Sequence, residues 1–172
     1  QAALLLTLMG TDFLKEPALP AVSLTRGTAA IVAQDVQWVS GTQINCTVDL
    51  TNAAAGTWDI VVANYDGKSD TLAGQFTVAN PPPTVSSILP SSGKNDDIIG
   101  ITNLAGSYFM SGATVNLTKE GMKNITTINV PIVQPGKILC FFDLGGVPVG
   151  TWNVVVTNTD GQAGVLANGF SI

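Results

Sequence analysis

The residues of this chain that could carry chemistry are three tryptophans, two cysteines and the asparagines of three Asn-x-Ser/Thr motifs. The sequence contains no histidine, which removes serine–histidine–aspartate triads, cysteine–histidine pairs and histidine-rich metal sites together. It also lacks a Cys-x-x-Cys motif and a Gly-x-x-x-x-Gly-Lys phosphate loop. We therefore predict a protein that is not an enzyme, with no catalytic, cofactor-binding or metal-binding residues.

Both cysteines and two of the tryptophans occupy positions that favour a buried core. Cys46, Cys140, Trp58 and Trp152 each alternate with apolar residues, and alternation with a period of two places residues on one face of a strand. We predict that all four are core residues. Two alternatives stay open, namely an intermolecular disulfide for the cysteines and a platform for stacking on sugars for the tryptophans.

The three Asn-x-Ser/Thr motifs are possible glycosylation sites at Asn45, Asn116 and Asn124. Asn116 lies between Val115 and Leu117 and is expected to point outward from a strand. Asn124 is expected in a loop. Their exposure makes glycosylation plausible if the protein lies at a cell surface.

The chain consists of two copies of one sequence pattern. The segment 56–67 (GTWDIVVANYDG) returns as 150–161 (GTWNVVVTNTDG) with eight of twelve residues identical, at an offset of 94 residues. The repeat extends in both directions, and the segments 4–10 and 100–106 align at an offset of 96. A period this long indicates two small domains rather than a solenoid.

Each copy reads as an all-β sandwich. Short stretches rich in Val, Ile and Thr are separated by Gly, Pro, Asn and Asp, and no helix signal occurs. An Asp-Gly pair between two such stretches, at 66–67 and at 160–161, predicts a hairpin in each copy. The segment 80–83 (NPPP) predicts a semi-rigid linker. The predicted domains are 1–79 and 84–172.

Composition limits the classes of partner. The net charge is −5, with 7 Lys and Arg residues, and this is not the basic footprint of a nucleic-acid-binding protein. No stretch of about 18 apolar residues occurs, so no membrane span is expected in this segment. Hydrophobic residues make up 45% and charged residues only 11%, which suggests extensive contact surface.

Three motifs resemble those of IPT/TIG domains. The segment 83–93 (PTVSSILPSSG) resembles the opening of such a domain, and Gly-x-x-Phe follows at 106–109 and at 10–13. Gly-x-Trp followed by a Val-rich strand, Asn and a Gly-containing turn occurs in both copies. The resemblance covers nearly the whole chain. It implies two tandem immunoglobulin-like β-sandwiches of the kind found in microbial cell-surface proteins.

The first copy differs from the second at its start. The second copy has an opening strand at 84–90, whereas Gln1 aligns near Asp97, so the first copy has no counterpart of this strand. An absent strand leaves an unpaired sheet edge. Two explanations stay open: a strand that lies upstream in a longer chain, or a strand donated by a neighbouring subunit.

Four residues are predicted to make inter-subunit contacts. Three of them, Leu4, Leu6 and Leu8, belong to the predicted strand that begins the first copy. The fourth, Trp38, alternates with Val36 and is expected in the core, but the second copy has no aromatic residue at this position.

The sequence thus predicts a structural module of an extracellular cell-surface assembly, such as a sheath, surface layer, filament or stalk. Its partners would be copies of itself or other surface proteins, with glycans as a possible further partner. The alternative function is an adhesion or carbohydrate-binding module, which could be part of a longer secreted protein.

Overall fold

The computed structural model describes residues 3–129 and 131–172, and its secondary structure is entirely β. The described residues form four sheets in which every strand pairing is antiparallel, and they form no helix. The all-β fold class predicted from the sequence is therefore confirmed. None of the described residues belongs to a helix long and apolar enough to cross a membrane.

The chain divides into two compact units, Gln1–Asn80 and Pro81–Ile172, here called unit 1 and unit 2. In unit 1 the described residues form seven strands: β1 Leu4–Met9, β2 Ala21–Arg26, β3 Ala29–Val32, β4 Gln34–Ser40, β5 Gln43–Val48, β6 Gly56–Ala63 and β7 Ser69–Val78. One sheet has the order β1-β5-β4 and the other has the order β3-β2-β6-β7.

Unit 2 contains eight strands within the described residues: β8 Thr84–Leu89, β9 Ile98–Ser107, β10 Thr114–Thr118, β11 Ile125–Thr126, β12 Ile132–Gln134, β13 Lys137–Asp143, β14 Thr151–Thr157 and β15 Ala163–Ser171. The sheets have the orders β12-β13-β9-β8 and β11-β10-β14-β15. Strands β1 to β7 correspond in pairing to β9 to β15, and β8 is the additional strand.

The strand register corrects the alignment of β1 with β9. Leu8 pairs with Ile44 as Leu104 pairs with Ile138, which agrees with the offset of 96. Leu6 pairs with Cys46, however, and the residue paired with Cys140 is Ile101 rather than Thr102. A β-bulge inserts one extra residue into β9 at this point. The alignment of residues 4–10 with 100–106 at a single offset of 96 is therefore wrong by one residue before the bulge. There Leu6 corresponds to Ile101 and Leu4 corresponds to Ile99.

Each unit encloses its own apolar core, formed by alternate residues of facing strands. The inward residues of β2, β5 and β6 form the centre of the unit 1 core, and those of β10, β13 and β14 form the centre of the unit 2 core. Val, Ile and Leu dominate both sets because branched apolar side chains pack well on a pleated surface. The outward residues of the same strands are polar or partly exposed.

The two predicted hairpins are present and hold a side-chain clamp at their base. Gly67 and Gly161 both adopt positive φ, which glycine accepts readily. Before the second turn, the amide of Asn158 donates to the Tyr108 carbonyl at 2.8 Å and accepts from the Met110 N–H at 3.0 Å. Asn64 makes the equivalent bonds to the Asp12 carbonyl at 2.8 Å and the Leu14 N–H at 3.2 Å. The clamp therefore fixes the Gly-x-x-Phe loop, whose third residue has positive φ in both units.

Strand β8 closes unit 2 by pairing with β9 and packing against β15. Two glycines permit this approach. A Cβ atom on Gly106 would lie 2.0 Å from the Thr84 carbonyl oxygen, and one on Gly164 would lie 2.3 Å from the Pro83 carbonyl oxygen. Beyond β8, the chain bridges to the end of β15 through a parallel pairing of Ser92 with Ser171.

These contacts predict that alanine in place of Gly106 lowers the stability of unit 2 more than alanine in place of the equivalent Gly10 lowers the stability of unit 1. We expect Gly106→Ala to destabilise unit 2 by about 1–3 kcal/mol, because its methyl group would meet backbone that cannot move without displacing β8. Gly10→Ala should destabilise unit 1 less, because the nearest atom is Cζ of the half-buried Phe13 ring, which can shift. Urea denaturation followed by amide hydrogen exchange in each unit measures both effects. Equal losses of stability would contradict the close approach of β8.

Candidate binding site at the open edge of unit 1

Strand β1 is an edge strand, and one side of its backbone has no strand partner among the described residues. Its other side pairs with β5 from Leu4 to Met9. Gly10, which follows β1, donates its N–H to Thr42 on the β5 side at 3.0 Å. Because N–H groups alternate in direction along a strand, those of Thr7 and Met9 point toward the open side. The equivalent strand β9 uses this side to pair with β8.

A groove of ≈ 280 Å³ lies along this open edge, between β1 and β7. Its walls are mainly apolar and include Leu8, Phe13, Val62 and Leu72, and Asp70 lies at its end. A second cavity of ≈ 280 Å³ adjoins this end and is lined by Asp12, Phe13, Lys68 and Asp70, among others. The groove occupies the place that β8 fills in unit 2, where β8 packs between β9 and β15.

Apolar side chains around the groove are less buried than their counterparts in unit 2. Leu104, Phe109 and Val156 are buried, whereas the corresponding Leu8, Phe13 and Val62 are half-buried. Leu166 is half-buried, and its counterpart Leu72 is 56% exposed. The same apolar surface is therefore present in both units, and among the described residues a strand covers it only in unit 2.

The end of the groove differs in charge from the matching place in unit 2. Asp70 pairs with Val62 as Gly164 pairs with Val156, so Asp70 stands where unit 2 has a glycine. Lys68 lines the same end, and its ammonium group lies 3.4 Å from the carboxylate of Asp66. Neither Asp70 nor Leu72 was identified from the sequence. The alignment of Asp70 with Gly164 at the offset of 94 was the signal that could have identified the first.

The leucines predicted to make inter-subunit contacts lie on one face of β1. Leu6 and Leu8 are half-buried and pack against the core, and Leu4 is 42% exposed. Leu8 also lines the groove. On the opposite face, Met9 is 71% exposed. The apolar surface at this edge thus includes both faces of the strand.

Trp38 lies on β4, on the side of this sheet away from β1. It is half-buried, its indole N–H donates to the Phe13 carbonyl at 2.8 Å, and the Lys15 ammonium lies 5.5 Å from the ring centroid. Trp38 therefore holds the loop that follows β1, and part of its surface stays accessible.

The other two tryptophans and both cysteines, which were predicted to be core residues, lie in the two cores. Trp58 and Trp152 are buried, and their indole N–H groups donate to the carbonyls of Ala54 at 2.9 Å and Pro148 at 3.3 Å. Neither ring face is open to a sugar. Cys46 and Cys140 are buried free thiols. Burial raises the pKa of both, to about 12 for Cys140.

The three asparagines of the glycosylation motifs lie at positions of different accessibility. Asn124 is exposed in the loop before β11. Asn45 and Asn116 are half-buried on the outward faces of β5 and β10, each inside a sheet rather than at its edge. The Asn45 side chain accepts hydrogen bonds from Thr7 at 3.1 Å and Gln43 at 3.4 Å. Of the three, Asn124 offers the most accessible amide.

Within the described residues, no group of three or more His, Cys, Asp or Glu side chains is placed to hold a metal ion. The most acidic part of the groove is its Asp70 end. The arrangement of groove and edge is suited to non-covalent binding of an extended chain, since it offers backbone hydrogen bonds beside apolar side-chain sites.

No protein-family model and no curated protein matches the chain. Among solved structures, the chain is similar to the Bacteroides ovatus mixed-linkage glucan utilization locus protein SGBP-B in complex with a mixed-linkage heptasaccharide. The similarity covers 98% of this chain and 40% of that chain, with 16% sequence identity and a TM-score of 0.32. The chain thus spans less than half the length of that protein.

Burial of both cysteines predicts that their thiols do not react in the folded protein. A raised pKa keeps each thiol protonated at pH 8, and only the thiolate is nucleophilic. We expect a disulfide reagent such as DTNB to label neither cysteine at pH 8 and to label both in denaturant. The variants Cys46→Ala and Cys140→Ala assign each reaction. Rapid labelling of the native protein would contradict the core positions.

Proposed function

We propose that the chain is a non-catalytic structural module of an extracellular cell-surface assembly, such as a sheath, surface layer, filament or stalk. Its partners are copies of itself or other surface proteins. The contact is made by a β-strand that adds to the open edge of unit 1. The observation that carries this proposal is that β1 is an edge strand whose second side has no strand partner among the described residues and lies beside an open apolar groove.

An edge of this kind is a ready template for association. Unpaired N–H and C=O groups in a row pair with another strand, and natural monomers usually protect such edges with charges, proline or bulges. Between Leu4 and Met9, strand β1 carries neither a charged residue nor a proline, and its pairing with β5 contains no bulge. Strand addition would bury the half-exposed leucines and the walls of the groove.

We further propose that both units are IPT/TIG-like domains. The contacts between the motif residues support this assignment, because the Asn of the third motif clamps the Gly-x-x-Phe loop of the second in both units. The strand-for-strand correspondence of β1–β7 with β9–β15 also supports a duplicated domain.

Adhesion or carbohydrate binding is the alternative function, and no specific observation on this chain favours it. The two repeated tryptophans donate their indole N–H groups to backbone within the core and present no ring to a sugar. Binding of a soluble glucan by the purified chain, without any effect of edge substitutions, would favour this alternative.

The variant Met9→Pro tests the role of the edge. Its missing N–H would face the open side, so we expect the pairing of β1 with β5 to be retained and strand addition to be blocked. Wild-type protein should self-associate with rising concentration in sedimentation velocity. Met9→Pro should shift the association to concentrations at least about tenfold higher, which corresponds to about 1.4 kcal/mol.

The matched control is Val39→Ser, on the same sheet. Val39 is an exposed apolar residue of β4 and lies away from the open edge. This variant should associate as the wild type does. If both variants lower association equally, the proposed role of the edge is wrong. If wild-type protein stays monomeric at all concentrations, the proposal that copies of the chain are its partners is wrong.

A further inference from the structure

Unit 2 shows what a strand in this position must supply. Val85 and Ile88 of β8 are buried in the core, three residues apart, and a bulge between Val85 and Ser87 brings both to the inner side. Val85 pairs with Gly106 and Ile88 pairs with Leu104. The residue two positions before Val85 is Pro83, whose carbonyl oxygen lies against Gly164.

Unit 1 offers the same two apolar sites. Gly10 and Leu8 correspond to Gly106 and Leu104, so a strand docked on β1 in the register of β8 would place two apolar side chains, three residues apart, beside them. Phe13, Val62 and Leu72 complete the walls of the groove. The apolar part of the recognition is therefore common to both units.

The end of the groove disfavours a strand with the backbone path of β8. A Cβ atom at the position of Gly164 would lie 2.3 Å from the Pro83 carbonyl oxygen, and Asp70 has a Cβ atom at the equivalent position of unit 1. No strand can dock there with the backbone path of β8 unless it shifts. In addition, the carbonyl oxygen equivalent to that of Pro83 would lie near the Asp70 carboxylate. The partial negative charge of the oxygen and the full negative charge of the carboxylate repel each other at short distance.

Charge at this end favours a cationic side chain. Asp12 and Asp70 line the cavity at this end together with Lys68, whose ammonium group pairs with Asp66. A lysine or arginine two residues before the first apolar residue would carry its charge toward these carboxylates. Any strand must shift its first residues away from Asp70 to relieve the steric conflict, so attraction between the cation and the carboxylates is what distinguishes such a strand from β8.

We propose that the groove of unit 1 binds a partner strand, antiparallel to β1, with the pattern cation-x-apolar-x-x-apolar, and that Asp70 selects this strand against β8 of a second copy. This inference rests on the proposed function, since it names the chemistry of the strand that fills the open edge. Leu8 and Gly10 flank the two apolar sites, and Asp70 and Asp12 receive the cation.

Three blocked peptides test the pattern against the 172-residue chain. The first peptide has the sequence of residues 82–90 (PPTVSSILP), the second carries Pro83→Lys, and the third carries Pro83→Lys together with Val85→Ser and Ile88→Ser. We expect the second peptide to bind about tenfold more tightly than the first at low salt, and the third not to bind. The advantage of the lysine should shrink at high salt because the charges lie partly in solvent. Protection of the Thr7 and Met9 amides from hydrogen exchange reports docking on β1.

Two substitutions of Asp70 separate charge from steric fit. Asp70→Asn keeps the Cβ atom and removes the charge, so the advantage of the lysine peptide should fall to within about twofold while the first peptide still binds weakly. Asp70→Gly reproduces the geometry of unit 2, so the first peptide should bind about tenfold more tightly than it binds wild type. Asp70 is exposed, and both variants are expected to fold.

The outcomes distinguish this inference from the function on which it rests. If the first two peptides bind the wild-type chain equally, or if Asp70→Gly does not improve binding of the first peptide, the proposed selection of the strand by Asp70 is wrong. The proposed strand-accepting role of unit 1 is not affected by either result. If the third peptide binds as tightly as the second, the proposed requirement for two apolar residues in the strand is wrong. If no peptide binds and the Thr7 and Met9 amides stay unprotected, both the inference and the strand-accepting role of unit 1 are overturned.

Discussion

The termination of a β-sheet is the constraint on which this structure depends. The last strand of a sheet presents backbone polar groups on one side, and in a sandwich it also leaves apolar side chains between the two sheets to be covered. Unit 2 meets both needs with β8, which pairs with β9 and buries Val85 and Ile88. In unit 1, β1 provides the equivalent surface without such a strand among the described residues. The groove of unit 1, its exposed leucines and the proposed binding of a strand all follow from this difference.

The two units also differ in how closely a strand can approach. Gly106 and Gly164 have no Cβ atoms, and this lets the backbone of β8 come within a distance that any side chain would prevent. Unit 1 keeps the first glycine as Gly10 but has Asp70 in place of the second. One residue thereby changes the end of the site from a tight backbone contact to a charged one, while the apolar part stays the same. The two units thus share the apolar part of this surface and differ in the charge and the steric fit at its end.

Much of the fold could be predicted from the sequence, because it is encoded locally. The alternation around Cys46 and Trp58 indicates an inward face, and Asp66-Gly67 between Val-rich stretches indicates a hairpin. The bulge in β9 could not be predicted, since it appears only in the pairing of Ile101 with Cys140. The role of Asp70 also required the structure, because an aspartate near a turn looks like turn chemistry until its position opposite Val62 is known. The sequence pattern within a strand thus predicts which residues are buried, whereas the pairing register between strands decides which side chains face each other across the groove.

The parallel bridge between Ser92 and Ser171 gives unit 2 a property that matters for any tethered protein. Gly93 donates to the Ser171 carbonyl at 3.0 Å and Ser171 donates to the Ser91 carbonyl at 2.9 Å, so the first and last segments of the unit are tied side by side. Tension applied to the two ends of unit 2 loads these bonds in shear, and they must break together rather than one after another.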